Sequence, residues 1–303
     1  MSNGNPCPLV LQKLLFGLFL CTLTLPIVAQ PPARAVAFTT NSDGMPIIPV
    51  TAGEATPLTL ILDTGAGLAV LAPSVIEKIH GIPTGQFTGF RMTGERLDIP
   101  LFTIPRLVIG PMEKKDVLVG SWDVLDKLHI DGIVSLSQFK DQPFTLDFGN
   151  KLLIFENAKT LAQRRANAVV SPIQLDDFRG VSLDMFSQFL LAGRPGQCDI
   201  DTGSPISTVN IRYMKLLGVD PDSKDVRKVE RKTIAGAPEI RYDTRLPEIA
   251  LATSPKVDIL HPQISFVDVI YDCVVGVDFW SGKALTVDIP DRQIMVSTPS
   301  LPH

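Results

Sequence analysis

Two carboxylates stand out in this sequence because each closes an apolar run and opens the same tripeptide. The run 58–62, Leu-Thr-Leu-Ile-Leu, climbs to Asp63, breaks into Thr64-Gly65-Ala66 and resumes at Leu68. A second copy, Cys198-Asp-Ile-Asp201-Thr202-Gly203-Ser204, follows with its aspartate 138 positions on (201 − 63). A charge at the tip of a buried strand is costly unless its surroundings hydrogen-bond it or use it. Read alone, one Asp-Thr-Gly is a strand ending in a turn; two in matched settings suggest two halves that each present a carboxylate. Two carboxylates held close together cannot both ionise easily, so they share one proton. Such a pair offers a base to deprotonate a water and an acid to protonate a carbonyl oxygen, and its titration belongs to the pair.

The elements needed to position such a pair are legible around it. From residue 35 the chain reads as strands and turns: an edge strand over 35–40, the turn signal Asn41-Ser-Asp-Gly44, and a hairpin-like pair, 45–51 and 57–62, leading to Asp63. Val75, Ile76 and Ile79 have helical spacing between Pro73 and a stop at Gly81. Gly85, Gly89 and Gly94 punctuate a hairpin whose end is Met92-Thr93-Gly94, with strands over 97–109 and 117–119 beyond it. The second half then repeats the first. Arg91-Met-Thr-Gly94 is echoed by Lys232-Thr-Ile-Ala-Gly236, and Asp131-Gly-Ile-Val by Asp272-Cys-Val-Val. The strands around 144–147 and 152–154 return around 285–288 and 294–296. Spacing agrees as well: 72 positions separate Asp63 from Ser135 (135 − 63) and 75 separate Asp201 from Gly276 (276 − 201). The expectation is an all-β chain of two homologous lobes, 35–157 and 169–297. A polar linker, 158–168, joins them, with Arg164-Arg165 as a solvated connection.

Asp-Thr-Gly-Ala and Asp-Thr-Gly-Ser, each followed at matched distance by a hydrophobic-hydrophobic-Gly or -Ser element, resemble the aspartic peptidases. The lobes are short, closer to retropepsin subunits fused in tandem than to the larger lobes of pepsin, and the resemblance covers nearly all of 35–296. It implies a bilobal acid-protease fold, two small β-barrel lobes with the active site in the cleft between them, so that one monomeric chain forms one site. It implies Asp63 and Asp201 as the catalytic dyad, with Thr64 and Thr202 cross-linking the two loops. Gly65 and Gly203 would let backbone approach the carboxylates, and Ala66 and Ser204 would complete the loops. Ile133 and Val134, with Val274, Val275 and Gly276, would brace the loops from beneath. Thr93 and Gly94, with Ala235 and Gly236, are the candidates for hairpins that cover a peptide or protein substrate; Phe90 is either a covering aromatic or a core side chain. Two departures stand out: Ala66 lacks the hydroxyl that Ser204 has, and Ser135 replaces the glycine of the first brace. The implied activity is that of an endopeptidase acting on extended peptides with apolar side chains near the scissile bond, without a cofactor. The alternative is a non-catalytic relative that binds peptide or protein in the same cleft.

Other chemistries find little support. A formal charge of −4 with a pI near 5.6 offers no electrostatic case for nucleic acid or an anionic membrane surface. His80, His129, His261 and His303 are scattered without metal-ligand spacing, and no Gly-x-Ser-x-Gly elbow occurs. The basic stretch 224–232 is interleaved with Asp225 and Glu230 and reads as a solvated face. Lys13, the apolar run 14–28 and Ala29 read as an export signal over 1–29, which implies a periplasmic or secreted protein; an uncleaved membrane anchor is the alternative. Outside that segment the cysteines are Cys198 and Cys273, three residues before Asp201 and Gly276 respectively. A disulfide and a pair of buried small side chains are both open readings.

Overall fold

A computed structural model describes Met1, 34–234 and 236–297. Apart from Met1, the export-signal or anchor segment lies outside the described residues, as does Ala235. Strand makes up 53% of the structure and helix 13%, in three sheets.

In the first half, strand Thr56–Asp63 lies between Pro46–Ala52, antiparallel to it, and Gly132–Ser135, parallel to it, with Asp63 level with Ser135. In the second half, strand Arg194–Ile200 lies between Ser182–Leu191, antiparallel, and Cys273–Val275, parallel. The sequence repeat is therefore a repeat of strand neighbours. Leu60, Ile61 and Leu62 are all buried, which explains why this strand reads as a continuous apolar run: both of its faces are covered. The matched acidic residues do matching work, since Asp131 accepts the Thr59 N–H at 2.9 Å and Asp272 accepts the Gln197 N–H at 3.0 Å.

A third sheet of six strands joins the halves. At its centre Phe144–Asp147 runs antiparallel to Ala284–Asp288, with Thr145 opposite Thr286 and their hydroxyl oxygens 2.7 Å apart. Each central strand then pairs with its own hairpin partner, Leu152–Phe155 or Gln293–Ser297. Ala35–Ala37 and Val169–Pro172 form the edges. The expected edge strand 35–40 is thus two strands: Thr39–Thr40 leaves this sheet to pair with Pro46–Ala52.

The polar stretch 158–168 is helical over Ala158–Asn167, started by a capping box between Asn157 and Thr160. Nor is its dibasic pair simply solvated. Arg164 is buried, with its Nε 3.0 Å from the buried Glu156 carboxylate, which also accepts the Thr145 hydroxyl at 2.6 Å. Arg165 is the surface member and pairs with Asp291 at 2.6 Å. Polarity suggested a linker, but Ala, Lys, Gln and Arg are good helix formers behind a capping residue.

Cys198 and Cys273 stand opposite each other on adjacent parallel strands and are disulfide-bonded across a sequence separation of 75. Closing a loop of that length restricts the unfolded chain. The double variant Cys198→Ala/Cys273→Ala is expected to lose about 2–4 kcal/mol of stability, read from urea unfolding under oxidising conditions. Equal midpoints for variant and parent would show that the bond contributes nothing.

Candidate active site

The strands end in two loops that lock into each other. Thr64 Oγ1 donates to the Ile200 carbonyl at 2.5 Å, and Thr202 Oγ1 donates to the Leu62 carbonyl at 2.7 Å. Each threonine N–H also donates to the other's hydroxyl, both at 3.1 Å. Both threonines are fully buried, so these four bonds are made away from water, where leaving the groups unpaired is costly. The lock brings Asp63 and Asp201 together, with each carboxyl set against the glycine of the other loop. Gly65 and Gly203 are required by this closeness. A Cβ on Gly65 would strike the Asp201 carboxyl, and one on Gly203 would strike the Asp63 carboxyl.

The loops differ in what they donate. Asp63 Oδ1 accepts the N–H groups of Gly65 and Ala66, each at 2.9 Å. Asp201 accepts the Gly203 N–H at 2.7 Å and, on its other oxygen, the Ser204 hydroxyl at 2.7 Å. Burial, then the neighbouring Asp201 charge, hold the Asp63 carboxyl well above the usual carboxylate range; the two backbone N–H groups offset part of this.

The supporting elements are equally uneven. Gly276 has no room for a side chain, since a Cβ there would lie 2.7 Å from both the Ile206 carbonyl carbon and the Ser204 oxygen. Ser135, its counterpart, is accommodated: it is extended and buried, with its hydroxyl oxygen 2.7 Å from that of Ser137. Val134, Val274 and Val275 are fully buried behind the loops. Ile133 is not confined to a brace; it faces the cleft and lines it.

Two hairpins carry the candidate covering residues, with matching turns. In the first, Arg91 N–H donates to the Glu95 carbonyl and Gly94 N–H to the Arg91 carbonyl. In the second, Thr233 and Gly236 make the same bonds to Ala237 and Thr233. Gly94 (φ +76°) and Gly236 (φ +99°) occupy the same left-handed position of the two turns, which favours glycine. The hairpin tips meet. Thr233 Oγ1 donates to the Glu95 carboxylate at 3.1 Å; the first tip is also held from the loop between Gln263–Val267 and Cys273–Val275, where the Ile270 N–H donates to the Met92 carbonyl at 2.8 Å. Thr93 sits at this tip with its hydroxyl buried and unpartnered. Phe90 is 63% exposed and lines the cleft, so it is not a core side chain.

The dyad opens into a cavity of about 330 Å³. On the first-lobe side its wall is apolar, from Leu68, Phe87, Leu97, Ile99, Trp122 and Ile133. On the second-lobe side it is polar, from Ser182, Asp184, Asp199 and Tyr271. Apolar substrate side chains are expected near the scissile bond; the first-lobe wall is apolar and the second-lobe wall is polar. Asp184, Asp199, Tyr271 and Trp122 were not singled out in the sequence. The available signal was the repeat: two residues before each dyad aspartate stand Ile61 in the first half and Asp199 in the second.

Three interlocking sheets and two facing Asp-Thr-Gly loops define a bilobal, pepsin-like acid-protease fold. No protein-family model matches the sequence, and no curated protein matches it. Among solved structures the chain is similar to basic 7S globulin from soybean, at 10% identity and a TM-score of 0.53, over 89% of this chain and 96% of that one. It is similar to conglutin gamma, a basic 7S globulin from lupine seeds, at 10% identity and 0.53, over 88% and 95%. It is also similar to edgp, at 9% identity and 0.53, over 89% and 96%. At these identities the likeness shows the fold, and it does not extend to the tandem-retropepsin comparison.

Proposed function

We propose that this chain is an aspartic endopeptidase that hydrolyses peptide bonds with a water activated between Asp63 and Asp201. The observation that carries the reading is the close approach of the two carboxyls, each against the glycine of the opposite loop, at the ends of loops fastened by reciprocal threonine bonds. Asp63, held protonated by burial and by its neighbour, supplies the proton that the carbonyl oxygen needs as charge develops on it. Asp201, which accepts the Gly203 N–H and the Ser204 hydroxyl, takes the proton of the attacking water. A peptide lies extended in the cavity beneath the first hairpin. The disulfide fits an exported protein, and among the described residues no helix is long and apolar enough to cross a membrane.

A second reading has its own support. None of the three similar structures is named as a peptidase and two are globulins, so the fold likeness favours a non-catalytic protein that binds peptide or protein in the same cleft. Incubating the exported form with a mixed peptide library and sequencing the products by mass spectrometry separates the two. New termini support the peptidase; retention of peptides without new termini supports the binder.

Ala66 offers a finer test. It cannot donate a side-chain hydrogen bond to Asp63, whereas Ser204 donates one to Asp201. A hydroxyl introduced by Ala66→Ser would stabilise the ionised form of Asp63 and lower its pKa. The alkaline limb of the pH profile of kcat/KM, which follows loss of the Asp63 proton, is then expected to move to lower pH. A limb that stays put or moves upward contradicts this, as would a parent optimum below about pH 4, the ordinary range of an unshifted carboxyl.

A further inference from the structure

The geometry points to a subsite for a basic side chain on the second-lobe side of the cleft, where Asp199 and Asp184 receive the ammonium or guanidinium group of a substrate lysine or arginine flanking the scissile bond. This rests on the endopeptidase reading for its substrate, and it goes beyond it in naming what the enzyme selects. Asp199 lies two residues before Asp201 and so faces the same side of the chain. On the neighbouring antiparallel strand Phe186 is opposite Asp199, which brings Asp184 level with Asp201; Asp176 is in turn opposite Asp184. Like charges directly opposite one another destabilise a sheet, and here no basic residue of those strands is placed among them.

Asp199 is the strongest part of the argument. It is 3% exposed and lines the cavity, yet among the described residues its Oδ1 has no hydrogen-bond partner. Leaving a buried carboxyl oxygen unpaired is costly, and a bound donor would recover that cost. The fold itself does not require this carboxyl, since Ile61 fills the matching position of the first lobe. Tyr271 lines the same wall, with its ring 5.0 Å from that of Phe186. The Tyr271 ring, held in place by Phe186, suits the aliphatic stem of a lysine or arginine and attracts its charge. Arg91, the basic residue lining this cavity, belongs to the hairpin and interacts with Glu95 and Glu239 rather than with these aspartates.

The electrostatics around these aspartates agree. Burial, then the Asp201, Asp184 and Asp63 charges, push Asp199 well above the usual carboxylate range, and the Ile200 N–H offsets only part of this. Burial, then Asp176 and Asp201, push Asp184 up to about 6. A cation reverses the sign of the local field, so its binding ionises these groups and releases protons.

The test uses two peptides that differ only in carrying lysine or norleucine beside the scissile bond, each also made with a non-cleavable reduced amide at that bond. The expected result is a preference for lysine of at least about tenfold, in kcat/KM and in affinity for the reduced-amide forms. The ratio should collapse toward one in Asp199→Ile, which copies the first lobe, and in Asp184→Asn. If Asp199→Ile fails to fold, the near-isosteric Asp199→Asn carries the test. No lysine preference at any position tried, or a preference that survives in both variants, overturns the subsite. Cleavage without that preference overturns the subsite and leaves the peptidase standing. A lysine preference in binding that is lost in the variants, without cleavage by the parent, supports the subsite and removes the peptidase.

Discussion

Asp63→Asn and Asp201→Asn are each expected to lower peptide cleavage by roughly a thousandfold or more, with no loss of stability. Asparagine keeps the size of the side chain and an acceptor for the Gly65 and Ala66 N–H groups or for Gly203, but it can neither take nor give the catalytic proton. The stability half of the prediction has a definite sign at position 63. Folding raises the Asp63 pKa, so the native state's advantage in holding that proton is complete at low pH and is lost as pH rises through the raised value. Asp63→Asn removes that loss and should therefore equal or exceed the parent in urea midpoint toward neutral pH. Activity surviving in either variant would end the dyad assignment; a large fall in midpoint would mean that cleavage was lost through unfolding.

Gly203→Ala is expected to cost at least about a hundredfold in kcat/KM although it removes no titratable group. The added Cβ meets the Asp63 carboxyl across the gap, and the threonine lock leaves the loops little freedom to part. Displacement of a reacting group by about 1 Å is enough for a loss of this size. Glycine on the other loop stands in the same relation to Asp201, so Gly65→Ala should behave alike. Near-parent kcat/KM in both would show that the carboxyls tolerate separation.

The bilobal fold and its two Asp-Thr-Gly loops were legible because identical local demands were written twice. Asp-Thr-Gly needs an apolar strand before it and close backbone approach after it, and both needs restrict residue type. The roles of Asp131 and Asp272 were visible only as a repeat; what they do, accepting one N–H on each central strand, depends on registry between distant segments. The disulfide was left open for the same reason, since spacing alone does not make Cys198 and Cys273 neighbours. Helix Ala158–Asn167 was overlooked because polarity outweighed a capping box that the sequence does contain. Asp199 was passed over as one acidic residue beside a more prominent one. Comparison of the halves residue by residue, Ile61 against Asp199, is what exposes it.

The meeting of the hairpin tips bears on traffic through the cleft. Two hydrogen bonds, Thr233 to Glu95 and Ile270 to Met92, together hold the roof shut by about 1–3 kcal/mol. On that basis alone the open form makes up between roughly one in six and one in 150 molecules. On the proposed peptidase or peptide-binding reading, a polypeptide approaching from the side would find the entrance available for that fraction of time, and its apparent affinity would be reduced in proportion. Substitutions at these tips would thus change how often the door stands ajar while leaving the chemistry behind it untouched.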